Sequence, residues 1–579
     1  MPGENLSFKK GGDDLGHTLY KRGFLGLDFE RLLLYSISYI LCIFIISPVV
    51  IPLINSFKIE AWGKETVYTV NNYLSCFSNP RILSAILNTL WISTGTTLFA
   101  TIVGCSLAWL VARTDMPLRK TFEMLNTIPI FLSPFVGAIA WMYLAAPRAG
   151  FLNKLALKWF GVQPFNIYGL FGVIWVTGIF FTPIVFLLTI GALKRMDPSL
   201  EESSRGCGAG IISTTCRVTL PLVSPAILSA VILVFVSSAG EFGVPLTLGV
   251  PYQVETLVTI VFEFLQRENP DYNSAAAVGS ILLVLTIFLT YLAKRIVAGA
   301  SYTTVTGKGY RPSVIPLRRW KYLGLAWNSL YFVVAIFLPI FILFVASLHK
   351  FWYGMINLSK LNFYNYYELL FVDKYAVQGF KNSLFLAVVG ATVAMCVSTL
   401  TSYFIYRTRS YGRSWVEYIA NLPVGIPGIV MAMGFLLIFI RTPIYATIWI
   451  LMVSYIIRFI PYGIRSVSSV LLSLSPELDE SSRGCGASFF KTIKNITLPL
   501  LKPGFVAGWL LLFIIFFREF PISMLLWSSG NQVMSVAMWY LLEHKTPGLT
   551  GGFAIMQIAV IFIAMFIIQK TLGRSDIEM

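Results

Sequence analysis

Twelve stretches of mostly apolar residues divide this sequence, each long enough to cross a lipid bilayer as a helix. They lie near 33–54, 84–112, 122–146, 167–191, 225–245 and 275–297, then near 323–348, 382–406, 415–440, 444–466, 503–526 and 551–570. A spanning helix needs roughly 20 such residues, because the hydrocarbon core is about 30 Å thick. Lipid offers no partner to backbone N–H and C=O groups, so runs of this length predict helices. The chain therefore reads as an all-α polytopic membrane protein with about 12 transmembrane helices. Composition agrees: of 579 residues, 56% are apolar and only 12% charged, whereas a soluble domain is about 25% charged.

The formal charge of +17 would suggest a nucleic-acid partner if the basic residues formed one patch. They cluster instead in the short segments between apolar runs, so no nucleic acid is expected and the lipid bilayer is the partner. With a cytoplasmic N-terminus, 29 of the 44 Lys and Arg residues fall in inside segments and 13 in outside segments. The positive-inside rule then places both termini in the cytoplasm. The remaining two, Arg458 and Arg518, fall inside apolar runs. The first 30 residues are charged and lack the apolar core of a cleaved signal peptide. Seven scattered cysteines without a C-x-x-C pair, and three distant histidines, indicate neither a zinc site nor a disulfide framework.

The chain is also a duplication. Residues 202–225, ESSRGCGAGIISTTCRVTLPLVSP, and 480–503, ESSRGCGASFFKTIKNITLPLLKP, are identical at 14 of 24 positions. This alignment, at an offset of 278, runs on to Glu241-Phe242 and Glu519-Phe520. Upstream, Asn88, Arg113-Thr114 and Pro129 match Asn382, Arg407-Thr408 and Pro423 at an offset of 294. The first half thus holds 16 extra residues, best placed around 147–166. Six spans per half make the copies parallel, related by a pseudo-two-fold axis along the membrane normal.

Both copies of the duplicated block sit between the fourth and fifth spans of their half, on the expected cytoplasmic side. The block resembles the EAA loop of permease subunits of bacterial binding-protein-dependent ABC importers. The matching residues are Glu202, Ser203, Ser204, Gly208 and Pro221 in one copy, and Glu480, Ser481, Ser482, Gly486 and Pro499 in the other. Serine replaces both alanines of the family pattern in each copy, which keeps the side chains small. Pro198 and Pro476 suit the start of a short helix, and Glu201/Glu202 and Asp479/Glu480 suit its first turn, where the helix dipole favours acids. Glycines 206 and 208, and 484 and 486, suit its end. The resemblance implies that each loop docks on one of two copies of a nucleotide-binding ATPase subunit. It also implies a periplasmic or extracellular solute-binding protein as partner, and a place in the bacterial inner membrane. A duplicated cap-and-turn loop without function is the blander reading.

On this resemblance the chain divides into a cytoplasmic tail (1–30), a first permease domain (31–300), a cytoplasmic linker (301–322) and a second permease domain (323–573). The linker reads as a solvated loop with no fold of its own. The fused architecture and the segment GEFGVPLTLG (240–249) look most like the ferric-iron permeases, so ferric iron is the cargo the resemblance implies. Importers of aminoethylphosphonate, hexose phosphate, thiamine and polyamine have a similar pattern. No G-x-x-x-x-G-K-[ST] loop occurs, so the chain is expected to bind no cofactor and to be no enzyme, the ATP and Mg²⁺ being used by the partner subunit. A secondary transporter driven by an ion gradient is the competing class, and it has no use for a doubled ATPase-docking loop.

Four ionisable residues inside apolar runs mark the expected translocation pathway: Glu241, Glu519, Arg518 and Arg458. The two glutamates are equivalent, and sixteen residues from Pro225 or Pro503 put them about 24 Å up a continuous helix, towards the outer leaflet. Snorkelling to the outer surface is the blander alternative. Arg518 and Arg458 face Gly240 and Phe180 in the first half. Glu241 and Glu519 are the oxygen ligands available to a hard cation, with no metal site assigned. The arginines suit an anion or an iron–anion complex better. Symmetric prolines, Pro129/Pro423 and Pro183/Pro461, predict kinks or breaks in the third, ninth, fourth and tenth spans.

Overall fold

Ten of the twelve apolar runs are single helices in the computed structural model of the chain, which describes residues 29–59, 66–298, 314–408 and 410–572. Among the described residues, paired strand is confined to Lys58–Ile59 against Val67–Tyr68. The third and ninth runs are broken. Arg119–Phe131 meets Pro134–Ala145 at 98°, and Arg413–Gly425 meets Gly428–Phe439 at 112°. Pro129 and Pro423 sit in the short 3₁₀ turns Ile128–Phe131 and Leu422–Gly425 just before each break. The linking residues Ser133 and Ile426, each followed by a proline, are extended, as residues preceding proline must be. Pro183 and Pro461, by contrast, lie inside the unbroken helices Leu170–Arg195 and Ile448–Leu471.

A third bent pair, Pro245–Tyr252 with Leu257–Gln266 at 85°, was not anticipated. Its second-half counterparts are the short helices Pro521–Leu526 and Met534–His544. The fifth and eleventh spans consequently end at Ala239 and Arg518, short of the expected 245 and 526. Asn88 and Asn382, equivalent residues, hold the incoming loops by donating to the carbonyl of Glu255 at 3.0 Å and to those of Gly530 and Gln532 at 3.1 and 2.8 Å. The extra residues of the first half include helix Phe151–Phe160, where the second half has only the turn 440–447.

The first helix of each half packs on the other half. Phe29–Ser56 lies against Gly428–Phe439 and Ala391–Arg407. Gly434 is obligatory there, since a Cβ would come 1.9 Å from the Pro48 carbonyl oxygen. The seventh span, Arg318–Ser347, lies against Pro134–Ala145. Buried Asn328 accepts from Asn126 at 2.9 Å, Tyr331 donates to the Ile179 carbonyl at 3.1 Å, and Trp327 donates to Ser106 at 2.9 Å. The expected tail, apart from its last two residues, and linker residues 301–313 lie outside the described residues. The end of the linker is not a solvated loop. Buried Ile315 pairs with Thr114, its N–H donating to the Arg113 carbonyl at 2.8 Å, and the Leu317 N–H donates to Asp115 at 2.8 Å. An apolar side chain and the free edge of an extended segment together account for this docking.

Candidate functional site

A cavity of about 240 Å³ lies between the halves, and all four ionisable residues singled out from the apolar runs line it. Its walls come from the fourth, fifth, tenth and eleventh spans and from the breaks in the third and ninth. At those breaks a helix ends and another begins, leaving carbonyls without an i+4 donor. Arg518 donates to the carbonyl of Leu132, and Arg458 to the carbonyls of Pro423 and Ile426. Leu132 and Ile426 are equivalent at the offset of 294. Two arginines from the second half alone therefore cap corresponding carbonyls, one in each half.

The glutamates are fixed in the opposite sense. Glu241 Oε1 accepts from the N–H groups of Gly243 and Val244 at 3.1 and 3.4 Å. Glu519 accepts from those of Ile522 and Ser523 at 2.9 and 3.0 Å, and from the Ser523 hydroxyl at 2.8 Å. Each carboxylate caps the start of the short helical segment that follows it, where free N–H groups and the helix dipole favour a negative charge. Both carboxylates point to these N–H groups beside the cavity. The helix that would have carried each one outward stops just before it, at Ala239 or Arg518. No ion pair within 4.0 Å joins the arginines to the glutamates. Glu519 has both carboxylate oxygens engaged and Glu241 one, while each guanidinium, with five N–H donors, keeps donors to spare. Among the described residues no three His, Cys, Asp or Glu side chains form a metal-binding group.

Aromatic rings pack together at one side of the cavity, where Phe135 and Phe520 line it. Phe242 and Phe520, the equivalent residues after the two glutamates, lie 5.5 Å apart, and Phe135 stacks on Phe520 at 4.1 Å with 6° between planes. All three rings are buried. The remaining walls, including Val236, Ser237, Phe459 and Ile515, belong to the helical turns nearer the duplicated loops. The cavity thus lies on the loop side of these rings.

The duplicated loops fold as the prolines and acids require. Helices Ser199–Gly206 and Glu477–Gly484 follow Pro198 and Pro476, with their acids in the first turn. Glu202, Ser203 and Gly208 are exposed, as are Glu480, Ser481 and Gly486. Ser204 and Ser482 turn inward and bond to Thr214 and Thr492, both at 3.0 Å, an interaction that alanine cannot make. Gly208 and Gly486 take φ of +87° and +83°, the left-handed region that favours glycine. Pro221 and Pro499 are the second residues of their helices, each preceded by a five-residue π turn, Thr215–Thr219 or Ile493–Thr497. Proline offers no N–H and crowds the carbonyl four residues back, and the widened turn relieves both. What the sequence reading missed is the pairing of these residues beneath the loops: buried Glu201 against Arg113, and Asp479 against Arg407. Their signal was present, because both arginines belong to the matched Arg-Thr pairs.

The pattern for "binding-protein-dependent transport system inner membrane component" matches residues 96–301 and again 398–575. The ferric transport system permease protein FbpB of Actinobacillus pleuropneumoniae is 28% identical over 489 residues, covering 82% of this chain and 68% of that protein. The putative ferric transport system permease protein FbpB 1 of Haemophilus influenzae is 29% identical over 441 residues, covering 74% and 67%. Among solved structures, a bacterial ABC transporter involved in the import of alginate is 19% identical with a TM-score of 0.41, covering 50% of this chain and 98% of that one.

Proposed function

This chain belongs to the family of binding-protein-dependent transport system inner membrane components, present here as two fused copies, and we propose that it is the transmembrane permease of an ATP-driven importer. The observation that carries the proposal is the pair of loop helices, each exposing Glu202-Ser203 or Glu480-Ser481 beside a left-handed glycine. Two equivalent projections on one face suit two copies of an ATPase subunit. By the distribution of Lys and Arg that face is cytoplasmic, and a solute-binding protein delivers cargo to the other. The seal formed by Phe135, Phe242 and Phe520 then closes the path outward while the cavity faces inward.

Ferric iron is the proposed cargo, supported by the two relatives named for ferric transport. The spare donors of Arg458 and Arg518 support a second reading, in which the cargo presents oxyanion oxygens as a small anion or as iron held in an anionic complex. The test is uptake into proteoliposomes containing the chain, its ATPase subunit and its binding protein. ATP-dependent uptake of radioactive iron supports the first reading. Uptake of a labelled oxyanion without iron supports the second. Absence of ATP-dependent uptake of any ligand of the binding protein overturns the importer. The isolated chain, lacking a phosphate-cradling loop, is expected to hydrolyse no ATP in a coupled-enzyme assay.

A further inference from the structure

We propose that two acid–arginine–threonine joints beneath the loop helices carry the movement of those helices into the spans, with Glu201 and Asp479 as positioning residues that contact neither ATPase nor cargo. The inference rests on the docking role just proposed for these helices and names the residues through which docking is felt.

In the first half, the fully buried carboxylate of Glu201 accepts from Thr219 Oγ1 at 2.6 Å and faces Arg113 Nε at 3.7 Å. Thr219 ends the π turn that leads into the fifth span. Arg113 is the last residue of the second span and donates to the Met196 carbonyl, just past the end of the fourth, at 3.4 Å. One carboxylate therefore links the loop helix to three spans. In the second half, Asp479 accepts from Thr497 at 3.0 Å and faces Arg407 Nε at 3.9 Å. Arg407 donates to the carbonyls of Leu471 and Leu474 at 3.1 and 2.8 Å. The same three-way connection recurs about the pseudo-two-fold axis, built with a shorter acid.

Both joints stand incompletely closed. The facing atoms Arg113 Nε, Glu201 Oε2, Arg407 Nε and Asp479 Oδ2 are buried and make no hydrogen bond. A closed charge-assisted bond measures roughly 2.7–2.9 Å, so a shift of about 1 Å would complete each one. Buried charges held just out of bonding range are unfavourable, and their energy changes steeply with small displacements. A loop helix pressed by a closing ATPase would tighten or open this contact, giving the two arrangements that coupling between distant sites requires. In the first half the docked linker braces Arg113 through Ile315.

The test uses the whole chain assembled with its ATPase subunit and binding protein in proteoliposomes. Glu201→Gln with Asp479→Asn keeps size and an acceptor for each threonine but removes both charges. The ATPase subunit should co-purify in unchanged amount and basal hydrolysis should persist, while cargo moved per ATP falls roughly tenfold, within the range of ordinary coupling effects. Glu201→Asp with Asp479→Glu, which exchanges the acids of the two copies, should retain most of the uptake. Unchanged cargo per ATP in the neutral variant overturns the proposal. So does a loss of uptake that follows entirely from lost co-purification, because the acids would then only shape the docking surface. Should the neutral variant fail to insert, Thr219→Val with Thr497→Val preserves shape, removes the bond from threonine to acid, and is judged by the same ratio. Bulky substitutions at Gly208 and Gly486 test docking separately: normal uptake there overturns the docking role, and this inference with it.

Discussion

At the residue scale, the charges inside the bilayer are held by backbone rather than by one another. Arg518 and Arg458 satisfy carbonyls that broken helices leave open, and Glu241 and Glu519 satisfy N–H groups at the start of new ones. Unmet groups of this kind cost about 1–3 kcal/mol each when buried. Arg458→Ala should therefore lower the thermal unfolding temperature of the detergent-solubilised chain, corresponding to about 1–3 kcal/mol, and also reduce uptake. Arg458→Lys, which keeps a charge and a donor, should recover much of that stability. If Arg458→Ala and Arg518→Ala change stability but leave uptake of every ligand intact, the arginines are caps alone. The four charges were legible in the sequence, since each interrupts an apolar run. That two arginines of one half address equivalent carbonyls in both was not, because the matching positions in the first half are Phe180 and Gly240.

At the scale of elements, prolines and glycines decide where helices stop. Pro129 and Pro423 mark true breaks, whereas Pro183 and Pro461 are absorbed within helices. The difference is local: another proline, Pro134 or Pro427, follows within a few residues and forces an extended link. The loop helices depend on Gly208 and Gly486 for their left-handed exits, and around both a Cβ would meet nothing within 4 Å. The constraint there is backbone conformation, not space. Gly208→Val with Gly486→Val should cost about 1–2 kcal/mol at each turn and abolish uptake, leaving membrane insertion intact as judged by protein level in the membrane fraction. The exposed Cys207 and Cys485, one in each loop, provide a direct assay of docking. Both should react with a maleimide in the chain alone and be protected once the ATPase subunit is bound.

At the scale of the molecule, the halves are interleaved. The first span closes on the ninth through Gly434 and Pro48, and the seventh closes on the first half through Asn126 and Asn328. Each half alone would expose to lipid the buried amides and small residues that its partner now covers. Residues 1–300 and 301–579 made as separate chains should therefore accumulate poorly by themselves and be recovered together when co-expressed, as tagged co-purification would reveal. Stable, monodisperse halves would contradict this packing.

The sequence alone determined the all-helical membrane class, the duplication and the chemistry of the loop motif. Span length, repeat offsets and cap residues are local properties, and bilayer thickness and backbone hydrogen bonding act on them directly. Tertiary structure alone decided which broken helices supply carbonyls to Arg458 and Arg518, that the glutamates cap the short helical segments that follow them, and that the linker's end docks beside Arg113. It also brought Glu201 under Arg113 and Asp479 under Arg407, residues far apart in the chain. These outcomes depend on which buried polar groups lack a partner once the spans have packed, and that remainder exists only in the assembled fold.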